Sequence, residues 1–142
     1  MLVRLIYAST AKELINHDLI EEILETSRKN NTAHGITGVL CYSDNVFVQA
    51  LEGGREQINI LYGRLQQDPR HTKLTLLDYS EIEARLYPGW TMSKIRLDRV
   101  NLSVLLKYST TAALDPYTVS GNTTMALLEE LTATGCFSSR ES

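Results

Sequence analysis

The chain has 142 residues, 43% hydrophobic and 22% charged, with a net charge of −3, the balance of one globular domain with a short appended piece. The absence of a basic block disfavours nucleic acid or an anionic membrane as partner, and no apolar run is long enough to span a bilayer. Met1 leads straight into a strand and not into a signal peptide, and Cys41 and Cys136 fit no zinc or CxxC spacing, which suggests a reducing cytoplasm.

Leu2 to Ser9 reads as a strand with Val3, Leu5, Tyr7 and Ser9 on one face and Leu2, Arg4, Ile6 and Ala8 on the other. Tyr7 thus sits among core side chains, where a tyrosine hydroxyl needs a partner. Asp18, with Glu21 three residues later, forms a capping-box pattern for a first helix. Ile20, Ile23, Leu24, Ser27 and Asn31 make one helical stripe. It begins apolar and ends in Ser27, Asn30 and Asn31. Those groups either present hydrogen bonds at one end of the core or finish a solvated helix end. Gly35 stops the helix. Ile36 to Tyr42 is a second strand, in which Gly38 predicts a close approach by another backbone or a ligand. Ser43, Asp44 and Asn45 turn the chain into an antiparallel hairpin.

The third strand, Val46 to Gly53, is apolar on both faces, with Phe47, Gln49 and Leu51 together on one. An unpaired buried polar group costs about 1–3 kcal/mol, so the Gln49 carboxamide must meet either a neighbouring protein group or a ligand with polar edges. Arg55 to Gln67 is a second helix with Ile58, Leu61, Tyr62 and Leu65 inward and Arg64 at the border. Asp68 and Pro69 end it, and Arg70 and His71 fall in the exit loop. These cations either meet a phosphate or lie on solvated surface.

Leu74 to Ser80 and Trp90 to Leu97 are the fourth and fifth strands. Trp90 and Met92 share one face of the fifth, Ile95 and Leu97 the other. The element order predicts an α+β fold: a ferredoxin-like split βαβ with a five-stranded mixed sheet and both long helices on one face. Beyond Leu97 the sequence predicts two short helices. Leu102, Leu105 and Leu106 stripe one; Asn122 or Thr123 caps the other, which bears Met125, Leu128 and Leu131. Neither is long enough to stand alone, so they must dock on the free sheet face or on another subunit. The expected division is a core at 1–97 and a helical extension at 98–142, frayed from Ser138.

The motifs RLIYAS (Arg4 to Ser9), SRKNN (Ser27 to Asn31), GITGVLCY (Gly35 to Tyr42), FVQALEG (Phe47 to Gly53), DPRH (Asp68 to His71) and WTM (Trp90 to Met92) fall in order over Met1 to about Leu97. Together they resemble the BLUF domain, the blue-light sensor that uses FAD. The tail, with LLKYS at Leu105 to Ser109, resembles that of the short stand-alone members. The resemblance implies that the two long helices flank the flavin. It implies Tyr7 as donor of an electron and a proton, Gln49 between Tyr7 and the flavin ring, and Asn31, with Asn30 beside it, at the ring's carbonyl edge. It implies Trp90 and Met92 as reporters of the light state, and Ser9 as a serine near the tyrosine and the tryptophan. Arg64, Arg70 and His71 match the ribityl and phosphate region, and Leu24, Ser27, Arg28, Leu40 and Phe47 further parts of the cofactor pocket. Two departures are Thr91 where the family often has serine, and Asp44-Asn45 where a glycine is frequent; asparagine tolerates the positive φ of such turns.

An amide suits position 49 because it carries a donor and an acceptor that are nearly isosteric on exchange, whereas an ionised glutamate only accepts. The expected protein is a cytoplasmic, non-enzymatic photoreceptor. Its expected partners are FAD, copies of itself in a dimer or larger ring, and a response-regulator-like protein, with no nucleic acid or membrane. The competing readings are a flavin-free regulatory module on the same fold and an acylphosphatase-like hydrolase. The second is disfavoured because Ser9 to His17 lacks glycine and an arginine cluster.

Overall fold

A computed structural model describes residues 1–133; Cys136 and the tail from Ser138 lie outside them. The chain runs β1 (Leu2–Ala11), α1 (His17–His34), β2 (Thr37–Ser43), β3 (Val46–Gly54), α2 (Arg55–Gln66), β4 (His71–Ile82), β5 (Ser93–Arg96), a 3₁₀ turn (Leu97–Arg99), α3 (Leu102–Tyr108) and α4 (Gly121–Ala133). The strands lie in the order β4-β1-β3-β2-β5. Every neighbouring pair is antiparallel except β2 with β5. This is the ferredoxin-like split βαβ with a fifth strand added beside β2.

The pleat sends alternate side chains to opposite faces and so builds two cores on one sheet. Val3, Leu5, Tyr7, Leu40, Phe47 and Leu51 meet Ile20 and Leu24 of α1 and Ile58 of α2. On the reverse, Ile6, Ala8, Val39, Cys41, Val48 and Ala50 meet Leu105 of α3 and Leu127, Leu128 and Leu131 of α4. Full burial of each such aliphatic side chain stabilises by about 1.5–3 kcal/mol, which is what holds two short helices in place. The α3–α4 pair therefore docks on the sheet, and Leu102 and Leu106 are left exposed.

Several local expectations are corrected. Asn16, not Asp18, caps α1: its side chain accepts from the Leu19 amide at 2.8 Å. The Ile15 amide is tied to the Asp44 carbonyl at 2.7 Å, which sets the helix entry there. Asp18 lies in the first turn, where its charge favours the helix dipole, and Glu21 pairs with Lys94. In the hairpin it is Asp44, not Asn45, that takes the positive φ, 51°. Ser120, not Asn122 or Thr123, receives the first-turn amide of α4, that of Thr123, at 3.0 Å. His71 is not in a loop; it opens β4 opposite Ala11. Gly38 is needed because a Cβ there would collide with the Ala50 carbonyl oxygen of the neighbouring strand.

The largest difference concerns Trp90 to Met92, which lie before β5 and not in it. Their carbonyls are taken instead by the Gly38 amide at 2.9 Å, by Nδ2 of Asn31 at 2.7 Å, and by the Arg28 guanidinium at 3.2 and 3.3 Å. Without strand pleating, the two side chains part company. Met92 is buried on the α1–α2 side, and Trp90 packs on the α3–α4 side.

Candidate functional site

A cavity of about 200 Å³ opens between α1 and α2. Its floor is the sheet, through Tyr7, Leu40, Phe47 and Gln49; Ser27 and Asn30 enter from α1, Leu61 and Arg64 from α2. Arg70 and His71 close the end where α2 gives way to β4.

Tyr7 and Gln49 are cross-strand partners in the β1–β3 register, so their side chains leave the sheet side by side. The Tyr7 hydroxyl donates to Oε1 of Gln49, and Nε2 of Gln49 donates to the Met92 sulfur at 3.3 Å. The carboxamide thus has protein partners and also lines the cavity. Burial, reinforced by the Asp68 carboxylate and Tyr62 and opposed by Arg70, pushes the Tyr7 hydroxyl well above the ordinary phenol range. Burial thus favours the neutral hydroxyl that donates to Gln49. The rings of Tyr62 and His71 flank it at 6.1 and 6.5 Å.

Asn31 is buried, donates to the Thr91 carbonyl, and has an Oδ1 with no protein partner. Arg64 donates to Oδ1 of Asn30 at 3.1 Å. Arg70 grips Asp68 at 2.7 Å and reaches Glu22 at 3.3 Å. That hydrogen bond holds the Asp68 carboxyl below its usual range. Nε2 of His71 faces the Leu65 carbonyl at 2.7 Å, so it must donate; Nδ1 lies within hydrogen-bond distance of the Ser9 hydroxyl, at 2.8 Å.

Of the residues singled out from the sequence, Tyr7, Ser27, Asn30, Leu40, Phe47, Gln49, Arg64, Arg70 and His71 line the cavity. Leu24 lies beneath α1 in the sheet core. Arg28 turns to the Met92 carbonyl, Asn31 to Thr91, and Ser9 touches the site through His71. Met92 reaches it through Gln49, while Trp90 is on the far side of the sheet. Sequence reasoning missed Thr26 and gave Ile23, Leu61, Leu65 and Asp68 only helix-packing or helix-ending roles; all five line the cavity. The available signal was that Thr26 and Asn30 fall at helical spacing from Ile23 and Ser27, along one edge of the stripe.

A ferredoxin-like sheet with an open, mostly apolar cleft between its two helices, floored by a hydrogen-bonded tyrosine and carboxamide, has the form of a small-molecule-binding domain. The chain belongs to the BLUF family, sensors of blue-light using FAD, whose family model matches residues 2–93. It is 36% identical over 93 residues to the photoactivated adenylate cyclase subunit beta of Euglena gracilis. That match covers 65% of this chain and 11% of the relative, so the chain spans about a tenth of the length of that cyclase subunit. The photo-activated state of BlsA superposes with a TM-score of 0.82 at 30% identity, covering 100% of this chain and 99% of that one. The dark state of the BLUF protein BlrB gives 0.77 at 30% identity, covering 94% and 96%. The chain is thus a blue-light sensor domain that uses FAD.

Proposed function

We propose that Tyr7 and Gln49 are the photoactive pair, and that light changes which atom of the Gln49 carboxamide faces the Tyr7 hydroxyl. The observation that carries this is the chain of contacts Tyr7–Gln49–Met92: one neutral amide bridges a proton donor and a sulfur with opposite ends of the same group. The residues present suit the cofactor. Asn31 Oδ1 is a buried acceptor in want of a donor, Gln49 exposes amide edges to the cavity, and Arg64, Arg70 and His71 supply cationic and hydrogen-bonding groups for the phosphate-bearing portion. FAD, when bound, supplies the absorption of blue light and an electron-accepting excited state.

With the cofactor bound, Tyr7 would be the donor of an electron to that excited state and, from its hydroxyl, of a proton toward Oε1 of Gln49, and would recover both as the excited state decays. Gln49 then settles rotated or tautomerised, so that its contact with the Met92 sulfur is exchanged. Leu40, Phe47, Leu61 and Leu65 keep water from this exchange. The altered amide biases the 90–92 segment, and through it β5 and the docked α3 and α4, as a shift between two populated arrangements.

The output is a protein partner. Exposed Leu102 and Leu106 on α3 support docking of a further copy of the chain or of a response-regulator-like protein. The buried free thiol of Cys41 is in keeping with the cytoplasm. The test is the absorption spectrum of the purified, flavin-loaded protein in darkness and after blue light. A reversible red shift of the flavin band is expected, and a spectrum indifferent to light overturns the reading.

A further inference from the structure

Residues 83–92 connect β4 to β5. They place Trp90 on the α3–α4 side of the sheet and Met92 on the cleft side. The end of this connection is held from α1 and β2 through its carbonyls. Its middle is held by a different device, on the opposite face of the sheet.

Glu52 of β3 is fully buried, with 0% exposure. Its Oε1 accepts from the Tyr87 amide at 2.9 Å and its Oε2 from the Leu86 amide at 3.0 Å. Oε2 also accepts from Nε of Arg4 at 2.9 Å and lies 2.8 Å from Nη2. The adjacent Arg85 donates to Oγ1 of Thr37 and to the Glu52 carbonyl at 3.0 and 3.3 Å. Tyr87 in turn stacks on Trp90, with ring centroids 5.2 Å apart, and its carbonyl accepts from the Trp90 amide at 3.2 Å. A buried ion pair is a poor device for stability alone, because apolar side chains of similar size commonly serve as well. What this one supplies is a fixed position for two consecutive loop amides.

We propose that Glu52, neutralised by Arg4, is the positioning residue that fixes Tyr87 and so keeps Trp90 on the helix side, leaving Met92 and not Trp90 against Gln49. This rests on the reading of Gln49 as the light-responsive group. β3 then acts at two points. Gln49 contacts the end of the connection on one face, and Glu52, three residues on, anchors its middle on the other. A change in the Gln49 amide therefore works against a segment whose far end does not yield.

Trp90 is the sole tryptophan of the chain, so its emission and its quenching by acrylamide report this residue alone. Dark, flavin-loaded wild type is compared with Glu52→Gln, which has one acceptor oxygen for two amides, and with Glu52→Asp, which keeps the charge. Glu52→Gln is expected to load flavin and unfold cooperatively. Its Trp90 quenching should nonetheless change about twofold, and thermal recovery of its lit state about fivefold, the factor that corresponds to losing one such hydrogen bond. Glu52→Asp should restore part of both. Wild-type quenching and recovery in Glu52→Gln overturn the proposal. If that variant does not fold, amide exchange in the wild-type chain decides. Leu86 and Tyr87 protected like strand amides support the anchor, and exchange as fast as in exposed loops overturns it. A wild type without a light-induced shift defeats the functional reading, while the quenching comparison still judges the anchor.

Discussion

The hydroxyl of Tyr7 donates to Oε1 of Gln49 across a cross-strand pair of β1 and β3, and the other end of the same amide donates to Met92. Three side chains from distant parts of the sequence thus share one chain of hydrogen bonds. Gln49→Leu keeps the apolar floor and removes both the donor and the acceptor. It is expected to bind flavin and to show no light-induced red shift. Tyr7→Phe should likewise bind and fail to shift. Either variant retaining the shift in a light-minus-dark spectrum would exclude this pair as the switch.

Asn31 serves two masters. Its Nδ2 holds the Thr91 carbonyl, and its Oδ1 is buried without a protein partner. Asn31→Ala removes the acceptor proposed to meet the cofactor and loosens the 90–92 segment together. Flavin affinity should fall about tenfold, or about 1.4 kcal/mol, the worth of one buried hydrogen bond. Titration of the apoprotein with FAD, followed by flavin fluorescence quenching, gives the number; unchanged affinity would mean Oδ1 does not meet the cofactor.

Two glycines separate steric from conformational cost. Gly35 ends α1 at a φ of 68° with nothing near its missing Cβ, whereas a Cβ at Gly38 would strike the Ala50 carbonyl. Gly35→Ala should cost about 1 kcal/mol, the penalty of a left-handed backbone. Gly38→Ala must push apart two paired strands and should cost about 1–3 kcal/mol or more. Urea unfolding of both variants orders them; an equal loss at the two sites would contradict the packing.

Stability should fall on both sides of neutrality for identifiable reasons. Burial pushes the Cys41 thiol up to about 12, and Tyr7 and Tyr87 are raised, also by burial first. Each folded value lies above the unfolded one. The contribution is therefore complete below the unfolded thiol and phenol values, about 8.5 and 10, and is lost as pH rises beyond them. On the acid side the Arg70 hydrogen bond lowers Asp68, so its contribution is present above the unfolded carboxyl value of about 3.9 and is lost as pH falls through the lower folded one. Urea midpoints from pH 3 to pH 11 check both limbs. Cys41→Ala should shallow the alkaline limb and Arg70→Ala the acid one.

Much of the site could be read from residue type and period. A period of two put Tyr7 and Gln49 on inner faces, and a period near 3.6 put Asn31 on the sheet-facing stripe of α1. The wall from Asp68 was not legible, because a polar residue that ends a helix looks the same whether it faces solvent or a cleft. Arg28 shows the limit from the other side: its position within SRKNN suggests the cofactor, and in the fold its guanidinium is spent on the Met92 carbonyl.

Alternation and helical period by themselves determined the order of elements, the ferredoxin-like plan and the inward placement of the tyrosine and the carboxamide. These follow from local backbone geometry and the burial of apolar faces. Only the tertiary structure decided that Trp90 and Met92 part to opposite sides of the sheet. The carbonyls of that segment are bonded by groups from Arg28, Asn31 and Gly38, more than fifty residues away in sequence, and a strand pattern cannot reveal which distant donors will claim it.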